Sequence, residues 1–148
     1  MTDNRYPPEQ LDPDDDNGTM PDNVEQLAQH VVGHRIVAAA RRLIAWDDKT
    51  WGDHWSSTGE GLVLTLDNGK QVALIDTGDC CAYTALSGFF LDPNSVDHII
   101  LGVGATDGYT VWHIYADFGD VMRLEVGWSC GNPFYYGYGF DIAVRDFA

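Results

Sequence analysis

Basic residues are scarce in this chain. Eight Lys and Arg stand against 23 Asp and Glu in 148 residues, a formal net charge of -15. A field of that sign repels nucleic acid and anionic membrane surfaces and favours basic partners. Neither nucleic acid nor membrane is therefore expected as a partner. Long apolar runs are missing too, and none approaches the roughly 18 residues needed to span a bilayer. The opening residues, MTDNRYPPEQLDPDDDNG, have neither the basic nor the apolar stretch of a secretion signal. Cysteine is limited to three residues, and two of them, Cys80 and Cys81, are adjacent. That is a poor disulfide framework, so reduced thiols in a cytoplasm are expected. No C-x-x-C pair is present to aim two ligands at one zinc ion. No metal and no cofactor is expected.

Hydrophobic residues make up 45% of the chain, aromatics 12%, and there are 16 glycines. This composition suits a packed domain with many tight turns and is far from that of a disordered chain. The length fits one domain, which at this size buries about two thirds of its unfolded surface. The charge is unevenly spread. Residues 1–25 hold eight acids and one Arg, -7 in all, which leaves -8 for the other 123 residues. Residues 1–22 carry four of the six prolines and the run Asp14-Asp15-Asp16. They read as an acidic arm without secondary structure, followed by a single globular domain over 23–148.

In NVEQLAQHVVG, residues 23–33, the apolar positions recur at helical spacing. A helix is predicted over 24–32, with Asn23 as its N-cap and Gly33 at C′. A strand should follow in HRIVAAARRLIAW. The clearest signal is LVLTLDNGKQVALID, where two alternating runs flank Asn68-Gly69, a pair that favours a type I′ hairpin turn with both central residues at positive φ. VDHIILGVG (96–104), YTVWHIYA (109–116), DVMRLEVGW (120–128) and GFDIAVRDF (139–147) alternate as strands of an antiparallel meander. Asp79 would cap a short helix over 80–87. The fold class expected is α+β and mainly β: a curved antiparallel sheet or small open barrel of about seven strands, with one or two short helices.

A thiol at a helix N-terminus could have a lowered pKa. However, Asp76 and Asp79 oppose that, and none of His30, His34, His54, His98 and His113 sits in a recognisable catalytic setting. The motif Asp79-Cys80-Cys81 is therefore read as structural, and no catalytic residue is assigned. The stretch LTLDNGKQVALIDTGDCCAYT, a hairpin followed by Asp-Cys-Cys, resembles a small family of unknown function found in actinobacteriophages and bacteria. The resemblance runs from about residue 31 to 147. It implies a protein of phage or mobile-element origin acting in the host bacterial cytoplasm, and it carries no assigned catalytic residue.

Two aromatic clusters are the candidate contact surfaces. Trp46, Trp51 and Trp55 lie in a polar connection of about fourteen residues, and Tyr135, Tyr136 and Tyr138 are interleaved with glycines. Tryptophan and tyrosine on ordered loops are typical anchors of protein interfaces. The function expected is a non-enzymatic interaction protein that binds a host or phage protein, basic in character, or a second copy of itself. A nucleotide-binding or sequestering protein, with Arg35, Arg41 and Arg42 available for a phosphate, is the alternative, and a cysteine- or metal-dependent enzyme the third.

Overall fold

The computed structural model describes residues 6–9, 11–13, 15–44, 49–52, 59–78, 81–131 and 138–146. One α-helix, α1 (Thr19–Val31), is followed by β1 (Ile36–Leu43), a 3-10 turn (Lys49–Trp51), β2 (Glu60–Leu66) and β3 (Lys70–Ile75). Then come the two-residue β4 (Thr77–Gly78), β5 (Tyr83–Leu91), β6 (Gly102–Thr106), β7 (Val111–Ala116), β8 (Gly119–Ser129) and β9 (Asp141–Asp146). The strands form two antiparallel sheets, ordered β1-β2-β3-β9 and β4-β5-β8-β7-β6, one of which curls into a half-barrel. The mainly-β class holds, with nine strands among the described residues in place of about seven.

The core follows from alternation. Leu62, Leu64 and Leu66 of β2 and Val72 and Leu74 of β3 point into the main cluster with α1 and the second sheet. Their neighbours Val63, Ala73 and Ile75 point the other way, into a smaller cluster with Ile44, Trp51 and Ala143. β2 and β3 are thus covered on both faces. The hairpin forms around Asn68-Gly69, but its turn type is corrected: Gly69 alone takes positive φ, at 82°, Gly69 N–H donates to Leu66 O at 3.2 Å, and Lys70 N–H donates to the Asn68 side chain at 3.0 Å.

Three further expectations are corrected. The helix begins at Thr19, so the expected boundary between residues 22 and 23 falls inside it. Asn23 does not cap it. Gly18 is the N-cap, and the Asp16 carboxylate, two residues earlier, accepts from Gly18 N–H at 3.1 Å and Met20 N–H at 3.2 Å. Asn23 is spent elsewhere: its side chain is buried, accepts from Phe140 N–H at 2.7 Å and donates to Phe140 O at 3.0 Å. Met20, Val24, Leu27 and Val31 are the buried stripe, and Gly33 exits at φ 88° as expected.

Second, within the helix predicted over 80–87, residues 83–87 belong to strand β5. Thr84 and Leu86 are buried while Tyr83 and Ser87 are exposed, a period of two that suits a sheet. Leu86 N–H donates to the buried Asp76 carboxylate at 3.1 Å. Third, of the segment 96–104 only its end joins a strand. Ile100 instead pins the chain to the exit of α1, accepting from Gly33 N–H and donating to His34 O, both at 2.9 Å.

Candidate functional site

The β6–β7 hairpin turns through Asp107, Gly108 and Tyr109, all at positive φ of 56°, 65° and 62°. Along β7, Trp112 and Ile114 enter the core fully buried, so His113 between them faces the opposite side of the sheet. β6 pairs on one flank of β7 and β8 on the other. This brings Thr106 and Asp120 to the same imidazole. Thr106 Oγ1 lies 2.8 Å from His113 Nε2, and His113 Nδ1 lies 2.8 Å from Asp120 Oδ2. In the neutral tautomer that satisfies both ring nitrogens, Nδ1 donates to the carboxylate and Nε2 accepts from the hydroxyl. The order of groups is that of a hydroxyl–imidazole–carboxylate relay.

The N-terminal segment covers this cluster. The Tyr6 ring lies flat on the His113 ring, 4.0 Å between centroids and 12° between planes. Its hydroxyl donates to Asp120 Oδ1 at 2.7 Å. Gly104 makes the space, since a methyl group there would overlap the Tyr6 side chain. Three residues on, Glu9 Oε2 accepts from Gly108 N–H at 2.7 Å, and Tyr109 donates its hydroxyl to Glu9 O at 3.2 Å. A cleft of about 300 Å³ opens beside Tyr6, lined by Pro8, Val24, Val103, Ala105 and Tyr109 among others.

The two described residues of the expected aromatic surfaces are buried, which corrects their reading as contact anchors. Trp51 is 4% exposed, in the smaller core cluster, with the Arg145 guanidinium 4.0 Å over its ring. Tyr138 is 8% exposed. Its hydroxyl donates to Asp16 Oδ1 at 2.6 Å and accepts from Asn17 N–H at 2.9 Å, and its ring stacks on Trp128. Burial, with the Asp16 carboxylate added, pushes its pKa up to about 12. Trp46, Trp55, Tyr135 and Tyr136 lie outside the described residues, as do Asp79 and Cys80.

Cys81 is exposed just before β5, and Cys130 is buried. Burial pushes the Cys130 thiol up, away from thiolate chemistry. With β5 a strand and Cys81 in a bend before it, no helix dipole acts on the Cys81 thiol. His30 and His34 do have H-x-x-x-H spacing, but the left-handed Gly33 breaks the helix between them and His34 turns to Asp67 at 3.2 Å. Among the described residues no three His, Cys, Asp or Glu gather to hold a metal ion. Two residues of the basic cluster pair with acids: Arg35 with Asp67 at 3.4 Å, and Arg41 with Glu60 at 3.4 Å and the buried Asp76 at 3.8 Å. Burial raises the Asp76 pKa, with the Leu86 hydrogen bond and Arg41 acting against it.

β1 is the most open strand. It has eight residues and only Ile36 is buried. Val37 is 65% and Leu43 79% exposed. Among the described residues only β2 pairs with it. Ile44 N–H donates to Gly59 O in the register that continues from Leu43↔Glu60. Alternation then sends the backbone groups of Arg42 and Ala40 to β2 and those of Leu43, Arg41 and Ala39 outward.

His113, Asp120 and Tyr6 were not singled out as a site in the sequence. Thr106 and His113, seven residues apart across a hairpin, carry the local signal, but Tyr6 and Asp120 are 114 residues apart. No described helix is long and apolar enough to cross a membrane. No curated protein and no solved structure matches the chain. Residues 29–142, which include Thr106, His113 and Asp120 but not Tyr6, match the family model of a domain of unknown function, DUF7448, and the chain belongs to that family.

Proposed function

We propose that this is an interaction protein that takes an extended segment of a partner protein as an added strand along β1. The observation that carries this reading is β1 itself: eight residues, one buried, with Val37 and Leu43 far into solvent. Edge strands are usually short, bulged or covered because an open row of N–H and C=O groups invites pairing. β1 has a register shift at its start, between Ile36 and Ala38, but runs on regularly to Leu43. Added strands gain affinity from main-chain hydrogen bonds. The net charge of -15 favours a basic partner, and the resemblance of the hairpin and Asp-Cys-Cys stretch to a phage family supports a host or phage protein in the bacterial cytoplasm as that partner. Pairing of β1 with β1 of a second copy uses the same edge.

The test is quantitative capture from bacterial lysate together with the elution profile. The wild-type chain is expected to retain a partner, or to elute as a dimer, and Ala39→Pro to lose either by at least tenfold. Capture or dimerisation indifferent to Ala39→Pro and Leu43→Glu would sink the reading.

The two 2.8 Å contacts of His113 favour a second reading, acyl transfer. Thr106 Oγ1 would attack an ester carbonyl and pass its proton to His113 Nε2. That proton would leave on the alcohol, and water would release the acyl group. Tyr6 covers the ring, so Tyr6→Ala is expected to hydrolyse p-nitrophenyl acetate at least tenfold faster than Tyr6→Ala/His113→Ala. Equal rates exclude it.

A further inference from the structure

Beyond the β1 edge, we propose that Tyr6 and Glu9 are a built-in plug in a peptide-binding site, and that the site takes a Tyr-x-x-Glu segment of a partner chain. The site has two anchor points. The first fits a phenol: Gly104 leaves the space, His113 offers a flat face, and Asp120 accepts the hydroxyl. The second fits a carboxylate: the Gly108 N–H is held in place by a turn in which Asp107 and Tyr109 both adopt positive φ. Side chains other than glycine enter that region at a cost, and such strain concentrates at ligand clamps.

The plug is well suited to act as a ligand. Pro7 and Pro8 separate its two anchors and fix their own φ, which lowers the entropy lost on docking. The described residues 6–9 belong to no helix or strand, so their placement rests on side-chain anchors and not on a sheet ladder. The plug lies outside the family domain at 29–142, whereas Gly104, Gly108, His113 and Asp120 lie inside it. The domain therefore carries the site, and the arm outside it supplies an occupant. An arm tethered in cis acts at an effective concentration in the millimolar range, so it holds off any segment of similar affinity until displaced.

The probe is the peptide Tyr-Pro-Pro-Glu-Gln-Leu, the sequence of residues 6–11, titrated into the full chain by calorimetry. The variant Tyr6→Ala/Glu9→Ala is expected to bind it at least tenfold more tightly than the wild type. Phe in place of the peptide's Tyr should weaken binding about fivefold through the lost hydroxyl bond, and adding Gly104→Ala should abolish it. A folded double variant that does not bind, or binding that Gly104→Ala leaves unchanged, overturns the proposal. If the double variant unfolds, Tyr6→Ala alone carries the same comparison, and unfolding of both makes the arm structural and overturns it. A wild-type dimer that the double variant converts to monomer would assign the site to a second copy's arm and overturn the partner reading. Loss of β1 binding in Ala39→Pro leaves this titration unaffected, so the two proposals fail separately.

Discussion

Tyr138 sits where three parts of the chain meet: Asp16 and Asn17 before α1, Trp128 near the end of β8, and Gly139 leading into β9. Its phenol stays protonated because burial, and the Asp16 carboxylate that accepts its proton, oppose ionisation. A folded pKa near 12 against an ordinary value of 10 has a definite sign. The folded state holds the proton more tightly, so the stabilisation is complete below pH 10 and is lost as pH rises from 10 through 12. A shift of that size corresponds to about 2–3 kcal/mol. Tyr138→Phe is expected to be less stable than the wild type at pH 8. The gap should narrow steadily from pH 10 to 12, as urea unfolding across that range would record. A constant gap would mean that the hydroxyl is not the titrating group. Tyr109, also raised by burial, titrates in both proteins and cancels from the comparison. That a tyrosine in a Tyr/Gly-rich stretch is an anchor of the fold was not legible in the sequence, because its hydrogen-bond partners lie more than 120 residues away.

At the scale of elements, the local patterns were the legible part. The β2–β3 hairpin was fixed by period-two alternation and Asn-Gly, both of which act over a few residues. β7, β8 and β9 were read for the same reason. α1 was misplaced at its start because Asn23 looks like a cap, while the capping carboxylate is Asp16, two residues before the cap position and in a segment of low apolar content. β5 was misread because a run without Pro or Gly is compatible with either structure until its partner strand is known. Here β8 decides, pairing with β5 along most of its length. β1 was expected as a strand, but its openness on both faces depends on what fails to pack against it. The edge itself makes a prediction. Pro at Ala39 removes an outward N–H, which edge strands tolerate, and should lower stability by less than about 1 kcal/mol. Pro at Ala40 removes a ladder bond to β2 and should cost more, about 1–3 kcal/mol for the partner left unsatisfied. Thermal melts of the two variants check the assignment of the outer edge.

For the whole molecule, charge sets the terms. A net -15 on 148 residues repels itself, and self-repulsion weakens the compact state. Raising salt from 50 to 500 mM shortens the screening length from about 14 to about 4 Å. The melting temperature is therefore expected to rise with sodium chloride by several degrees, and a flat or falling curve would show that the local pairs Arg35–Asp67 and Arg41–Glu60 outweigh the global field. The acidic segment contributes to that charge, yet its described residues lie on the domain. Tyr6, Glu9, Leu11 and Asp16 each reach a partner there.

The sequence by itself determined the mainly-β class, the hairpin at Asn68-Gly69, most of the strands and the acidic balance, because alternation, turn residues and charge act locally or sum over the chain. Only the tertiary structure decided that Trp51 and Tyr138 turn inward, that β1 pairs on one side alone among the described residues, and that Tyr6 lies on His113 beside Thr106 and Asp120. Those outcomes depend on contacts between residues far apart in the chain, and which distant groups meet is set by how the sheets pack.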